Sequence, residues 1–100
     1  AIGQLTKYIA LELAEYNICV NTVCPATIDT PLARRAFTDF ANAEFGGDVD
    51  MAMAWEAQQY PLKKIGSPDD VAELAYYLGT FQNGFTTGSL YQIDGGLTLS

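Results

Sequence analysis

Histidine is absent from this chain of 100 residues. That absence removes every catalytic triad built on an imidazole base, and with it the usual zinc sites. Cysteine is scarce too, with Cys19 and Cys24 alone, and two thiols by themselves make no metal site. On an extended strand these two would face opposite sides and lie about 16 Å apart, too far for a disulfide. They read as small buried thiols in a reducing compartment, which points to the cytoplasm. No apolar run approaches the roughly 18 residues that cross a bilayer, and the opening residues lack the basic and apolar regions of a secretion signal. Basic side chains are also few: 5 Lys and Arg against 12 Asp and Glu leave a net charge of −7. Nucleic acid and anionic membranes are poor partners for such a chain, because their phosphates repel it.

What is present is a clear alternation of helix and strand signals. Ile2, Leu5, Ile9, Leu13 and Tyr16 recur at helical spacing, widened by Ala1, Leu11 and Ala14, and predict a helix over 1–17 with Asn17 as its stop. Ile18 to Val23 is rich in β-branched residues and predicts a strand over 18–24, broken at Pro25. A short polar loop, 25–30, follows. Thr30 can then cap a helix whose first residue is Pro31, running to about Phe45, where Gly46-Gly47 ends it. Asp48 to Tyr60 is a weaker helical segment that Pro61 closes. Ser67-Pro68-Asp69-Asp70 is a strong helix start, and Val71, Leu74, Ala75 and Leu78 carry the apolar stripe of a helix over 67–79. The Gly-, Thr- and Asn-rich stretch 82–88 leads to a last strand over 89–94, ended by the turn Asp94-Gly95-Gly96.

Strands joined by long helical crossovers belong in a parallel sheet with right-handed connections, so the fold class is α/β. Two strands leave a long edge unpaired, and the chain opens inside an apolar helix with no cap. The expectation is therefore the end of a larger domain.

Four segments together resemble the last part of the short-chain dehydrogenase/reductase family. They are Ala1-Ile2-Gly3-Gln4-Leu5-Thr6-Lys7 with Leu11-Glu12-Leu13-Ala14; Ile18 through Pro25 with the loop to Thr30; Pro61 through Ala72; and Thr87-Gly88 through Ile93-Asp94-Gly95-Gly96. Each alone is weak, but their order and spacing match the family over nearly the whole chain. The resemblance implies the C-terminal portion of a doubly wound parallel-sheet NAD(P)-binding Rossmann fold. It also implies that the glycine-rich phosphate loop and the catalytic Ser, Tyr and Lys all precede Ala1. No catalytic residue is therefore assigned within the chain. Tyr8, Tyr16 and Lys7 do not replace them, since neither Tyr8 nor Tyr16 is followed four residues later by Lys, and Lys7 belongs on a solvated helix face.

By the same resemblance, Pro25, Ala26, Ile28, Thr30 and Leu32 contact the nicotinamide end of NAD or NADP. The Ile28 backbone would pair with the carboxamide, while the Thr30 hydroxyl and the amide near Leu32 would reach the carboxamide or the pyrophosphate. Elementary chemistry agrees, because a primary carboxamide needs one donor and one acceptor and an extended residue offers both. A diphosphate likewise suits free N–H groups at a helix start. The plainer alternative makes Thr30 an N-cap and Pro25 a strand terminator. Ala26 stands where the family usually has Gly. If that position needs a positive φ, alanine costs about 1 kcal/mol; if it needs only close approach, the methyl crowds the ring.

Residues 31–60 correspond to the family's substrate lid. Phe37, Phe40, Phe45, Met51, Met53 and Trp55 make it apolar, with Gly46-Gly47 as a possible hinge. They suit either a substrate with hydrophobic surface or the packing of the lid onto the body. Asp48-Val49-Asp50 lacks the ligand series of a metal loop. The leading expectation is part of an NAD(P)-dependent oxidoreductase that interconverts an alcohol and a carbonyl by hydride transfer, the isolated chain being inactive. This chain would supply the nicotinamide-side loop, the lid and an oligomer surface for a homodimer or homotetramer. The alternative is a non-catalytic interaction or oligomerisation module of the same fold.

Overall fold

In the computed structural model, which describes residues 1–81 and 84–99, the chain opens with α1, Ile2–Leu13, and a tight 3-10 turn, Ala14–Tyr16. Asn17 closes that turn at φ 59°, and its N–H donates to the Ala14 carbonyl at 2.9 Å. Asparagine is one of the few side chains that accept this left-handed position. The face of α1 that docks on the sheet differs from the predicted stripe. Thr6 and Ala10 are its buried residues, while Ile2, Leu5 and Tyr16 are exposed. A hydrogen bond decides the contact: Thr6 donates its hydroxyl to the Ile2 carbonyl at 2.8 Å, so Thr22 donates to Thr6 Oγ1 at 2.5 Å. Each hydroxyl carries one proton, and this assignment uses both.

The first strand, β1, covers Thr22–Pro25 and pairs in parallel with β2, Leu90–Ile93, in the register Thr22 to Leu90 through Pro25 to Ile93. The ladder therefore starts later than the expected residue 18. Ile18 still bonds back to the Leu13 carbonyl at 3.2 Å, and Val20 and Asn21 are held by the loop before β2. Asn21 gives its amide N–H to the Thr86 carbonyl at 3.0 Å and accepts from the Ser89 N–H at 3.1 Å. High β-propensity marks an extended segment, but pairing depends on what lies opposite. The flanking bonds, Thr22 N–H to Ser89 and Ala26 N–H to Ile93, fall on even-numbered residues. Pro25 thus turns its donorless nitrogen away from β2, as a proline in a ladder must. Cys19 and Cys24 are free and half-buried; Cys19 lies outside β1, so the spacing argument drawn from one strand does not describe it.

Between the strands lie α2 (Pro31–Ala36), α3 (Thr38–Glu44), α4 (Val49–Gln58) and α5 (Pro68–Thr80). The single helix expected over 31–45 is broken at Phe37, with no glycine or proline to announce it. Packing makes the break: Phe40 sits edge-on to Phe37, Phe45 and Trp55, at centroid distances of 6.3, 5.4 and 5.2 Å. That cluster joins α3 to α4, and Thr38 bonds back to the Arg34 carbonyl at 3.3 Å. By contrast, α5 begins as its local sequence dictates. Ser67 accepts from the Asp70 N–H at 3.2 Å and donates its own N–H to the Asp70 carboxylate at 2.8 Å, a complete capping box. A last 3-10 turn, Leu97–Leu99, follows β2. Of the stretch expected as the 82–88 loop, residues 82 and 83 lie outside the described residues. The molecule is elongated, 56 × 26 × 24 Å, and its buried apolar residues are Ala10, Ala41, Ala52, Met53 and Tyr60.

Candidate functional site

The loop after β1 leaves the carboxyl end of the parallel pair, where open α/β sheets hold their ligands. Three residues past the strand it touches Gly66 in a single parallel bridge, Ile28 opposite Gly66. The bonds run from Gly66 N–H to the Thr27 carbonyl at 3.0 Å and from Asp29 N–H to the Gly66 carbonyl at 2.9 Å. In a parallel bridge of this kind the central residue turns its own N–H and C=O to the other side. Ile28 does so, and among the described residues neither group has a hydrogen-bond partner. A Cβ at Gly66 would stand 2.6 Å from Ile28 Cδ1, the tip of a side chain that would have to turn aside.

The entry into α2 is built from its cap. Thr30 has extended backbone, and its Oγ1 accepts from Ala33 N–H at 3.1 Å. Pro31 has no donor, and Arg34 N–H bonds to the Thr30 carbonyl at 3.0 Å. The Leu32 amide is what remains: it has no partner among the described residues, and the Leu32 side chain is exposed. The cap expected at Thr30 is therefore formed.

Along the loop, Ile28 and Leu32 keep N–H groups without a partner among the described residues, and Pro25 and Ala26 do not. Pro25 has no N–H, and Ala26 gives its own to the Ile93 carbonyl at 3.2 Å. Ala26 instead helps line a cavity with Thr27, Tyr60, Ile65, Ile93 and Gly95. Positive φ among the described non-glycine residues is confined to Asn17 and Lys63, so the backbone strain considered for Ala26 is not there. Lys7 is exposed on α1.

Other residues of the site gave no signal in the sequence. Thr27 donates its hydroxyl to Glu56 Oε2 at 2.9 Å and its N–H to the Tyr60 hydroxyl at 3.2 Å. Asp29 takes a two-pronged bond from Arg34, Nε to Oδ1 at 2.9 Å and Nη2 to Oδ2 at 3.2 Å, and Arg34 Nη1 reaches Asp50 at 2.6 Å. The hydrogen bond from Arg34 holds the Asp29 carboxyl below the usual carboxylate range, and the two acids raise Arg34 in turn. All of these partners are far apart in sequence or separated by a cap, so no local pattern could have revealed them.

Two further expectations can be located. Asp94-Gly95-Gly96 is a turn, with the Asp94 carboxylate accepting from Gly96 N–H and Thr98 N–H, each at 3.1 Å. Its glycines have φ of 58° and 89°, and Leu62 N–H bonds to the Gly95 carbonyl at 3.0 Å. On the lid, Phe37, Phe40, Phe45 and Met53 are spent on internal packing, whereas Leu32, Met51 and Trp55 keep exposed surface. Among the described residues no cluster of His, Cys, Asp or Glu could hold a metal ion, and no helix is long and apolar enough to cross a membrane.

The fold of this chain recurs in solved structures. A short-chain dehydrogenase family protein of Francisella tularensis superposes with a TM-score of 0.91 at 44% identity, over 99% of this chain and 40% of its own. A family model described as enoyl-(acyl carrier protein) reductase matches residues 1–98. The chain belongs to the short-chain dehydrogenase/reductase family. Among its curated relatives in that family is the inactive 2-(S)-hydroxypropyl-CoM dehydrogenase 2 of Xanthobacter autotrophicus, 35% identical over 98% of this chain and 40% of the relative. L-sorbose reductase of Gluconobacter frateurii, solved with NADPH and L-sorbose, superposes at a TM-score of 0.87 with 27% identity, over 98% of this chain and 37% of that one. The chain thus spans 37–40% of the length of these family members.

Proposed function

We propose that this chain is part of an NAD(P)-dependent oxidoreductase that interconverts an alcohol and a carbonyl on a small molecule, and that it holds the nicotinamide end of NAD or NADP. The observation that carries this is the Ile28 peptide pair, one donor and one acceptor left open side by side at the carboxyl end of a parallel sheet. A primary carboxamide is the complement of that pair. When bound, the dinucleotide supplies hydride transfer. The chain's own part is to fix the ring: Ile28 orients the carboxamide, and Thr30 and Leu32 offer a hydroxyl and an amide to the carboxamide or the phosphates. Pro25 and Ala26 form an apolar wall. The exposed surfaces of Leu32, Met51 and Trp55 suit a substrate with hydrophobic parts. The groups that exchange the proton belong, on this reading, to another part of the polypeptide, and the assembled enzyme is a cytoplasmic homodimer or homotetramer.

The test removes the donor. Ile28→Pro takes away one N–H that no internal bond uses, so the bridge to Gly66 through Thr27 and Asp29 can persist. In the native protein, titration with NADH or NADPH followed by nicotinamide fluorescence is expected to show weakened binding in this variant. Equal binding by wild type and variant would overturn the reading.

A second reading, a non-catalytic interaction module, is favoured by the exposed apolar face of α1 formed by Ile2, Leu5 and Ile9. Sedimentation of the native protein with and without dinucleotide separates the two, since this reading requires association and no cofactor binding.

A further inference from the structure

We infer that α4 is the frame that aims the Ile28 peptide, with Glu56 as its principal positioning residue; this rests on the nicotinamide reading of the loop. The argument starts from what holds Ile28 in place. Its own backbone groups are open, so its direction is set by its two neighbours, whose backbones Gly66 holds from one side. Both neighbours are tied to α4. Thr27 is bonded to Glu56 and to Tyr60, which lies just past the end of that helix. Asp29 is tied through Arg34 to Asp50 in the helix's first turn. Residues 50 and 56 are separated by about 9 Å of helix rise, and residues 27 and 29 by roughly 6.6 Å of extended chain. One rigid element therefore braces both sides of a two-residue span.

The two braces are unequal. Glu56 takes the Thr27 hydroxyl proton directly in a part-buried setting, and the adjoining Tyr60 is buried. Asp50 is 81% exposed and acts through a long arginine, so salt and side-chain freedom weaken it. Glu56 touches neither the open Ile28 groups nor the Leu32 amide; it acts through Thr27. The lid helix is then more than a cover. The Gly66 bridge turns the Ile28 donor and acceptor to the open side, and the Glu56 carboxylate steadies the Thr27 side of that span.

Glu56→Ala and Glu56→Gln in the native protein test this, with affinity measured for NADH or NADPH and, separately, for ADP-ribose, which lacks the nicotinamide. Losing one hydrogen bond of this kind corresponds to roughly a two- to tenfold change in affinity. The expected result is that Glu56→Ala weakens the reduced dinucleotide by that factor and leaves ADP-ribose unchanged. Glu56→Gln keeps a carbonyl acceptor for Thr27 and is expected to restore the wild-type ratio. A merely structural role would weaken both ligands together or be read only in the melting temperature, and either outcome overturns the inference. Ile28→Pro run in parallel separates the two levels. If it leaves dinucleotide binding intact, the nicotinamide reading itself falls; if it weakens binding while Glu56→Ala does not, only the frame falls.

Discussion

Gly66 offers the sharpest test of how the loop is built. Its backbone is not in the left-handed region, so a side chain there meets no conformational penalty and the whole effect is steric. An added Cβ would stand 2.6 Å from Ile28 Cδ1 and must be relieved to at least the 3.4 Å of ordinary contact. That displacement falls on the tip of a side chain, which can turn, so Gly66→Ala belongs at the lower end of overpacking costs, about 1 kcal/mol. Ile28→Val removes the δ-methyl and by itself costs about 0.5–1 kcal/mol for a half-buried residue. Together the two should cost less than their sum, with a coupling of about 1 kcal/mol, because the valine has nothing left to collide with. Urea unfolding of the native protein and the three variants gives all four corners of the cycle. Strict additivity, or a Gly66→Ala variant as stable as wild type, would refute the claim that a side chain at this position must displace Ile28 Cδ1.

Ser67→Ala removes one half of the α5 capping box and should lower stability by about 1 kcal/mol in urea unfolding, with no change in dinucleotide affinity. No loss of stability would mean the cap is replaced by water without penalty. The pH dependence has a definite sign. Arg34 lowers Asp29, the Ser67 N–H and hydroxyl lower Asp70, and Thr98 lowers Asp94, so all three carboxyls are held below their unfolded values. Their contribution is fully present above about pH 4 and is lost as the pH falls through the folded values. Thermal melts should therefore shift downward as the pH falls below about 4, and less so in Asp70→Asn; a melting point indifferent to pH below that value would contradict the assigned hydrogen bonds.

Features that the sequence made legible are those decided within a few residues. The caps at Thr30 and Ser67 need only a hydroxyl and the next turn of helix, and both are formed. The turn at Asp94-Gly95-Gly96 needs only its own carboxylate and glycines. What stayed hidden was set by distant partners. The ladder begins at Thr22 because its partner strand begins at Leu90, and helix 31–45 breaks at Phe37 because Phe40 has to meet Trp55. The stripe on α1 was real as periodicity, yet Thr6 and Ala10 dock, because a hydroxyl on β1 selects them. At the site, the open groups of Ile28 follow from a bridge to a residue 38 positions away, which no reading of the loop alone could supply.

The proline at the end of β1 has an effect beyond its own strand. Even-numbered residues of β1 spend their N–H groups on β2, so the opposite margin belongs to Val23 and Pro25. A neighbouring chain laid along that margin can take the Val23 amide, and at the next rung it finds a ring in place of a donor. Pairing must stop there, one residue short of the loop. Pro25 thereby works as a wedge in a zipper: it keeps the sheet from closing over the place where Ile28 presents its unpaired groups, and the mouth of the site stays open by subtraction of a single hydrogen atom.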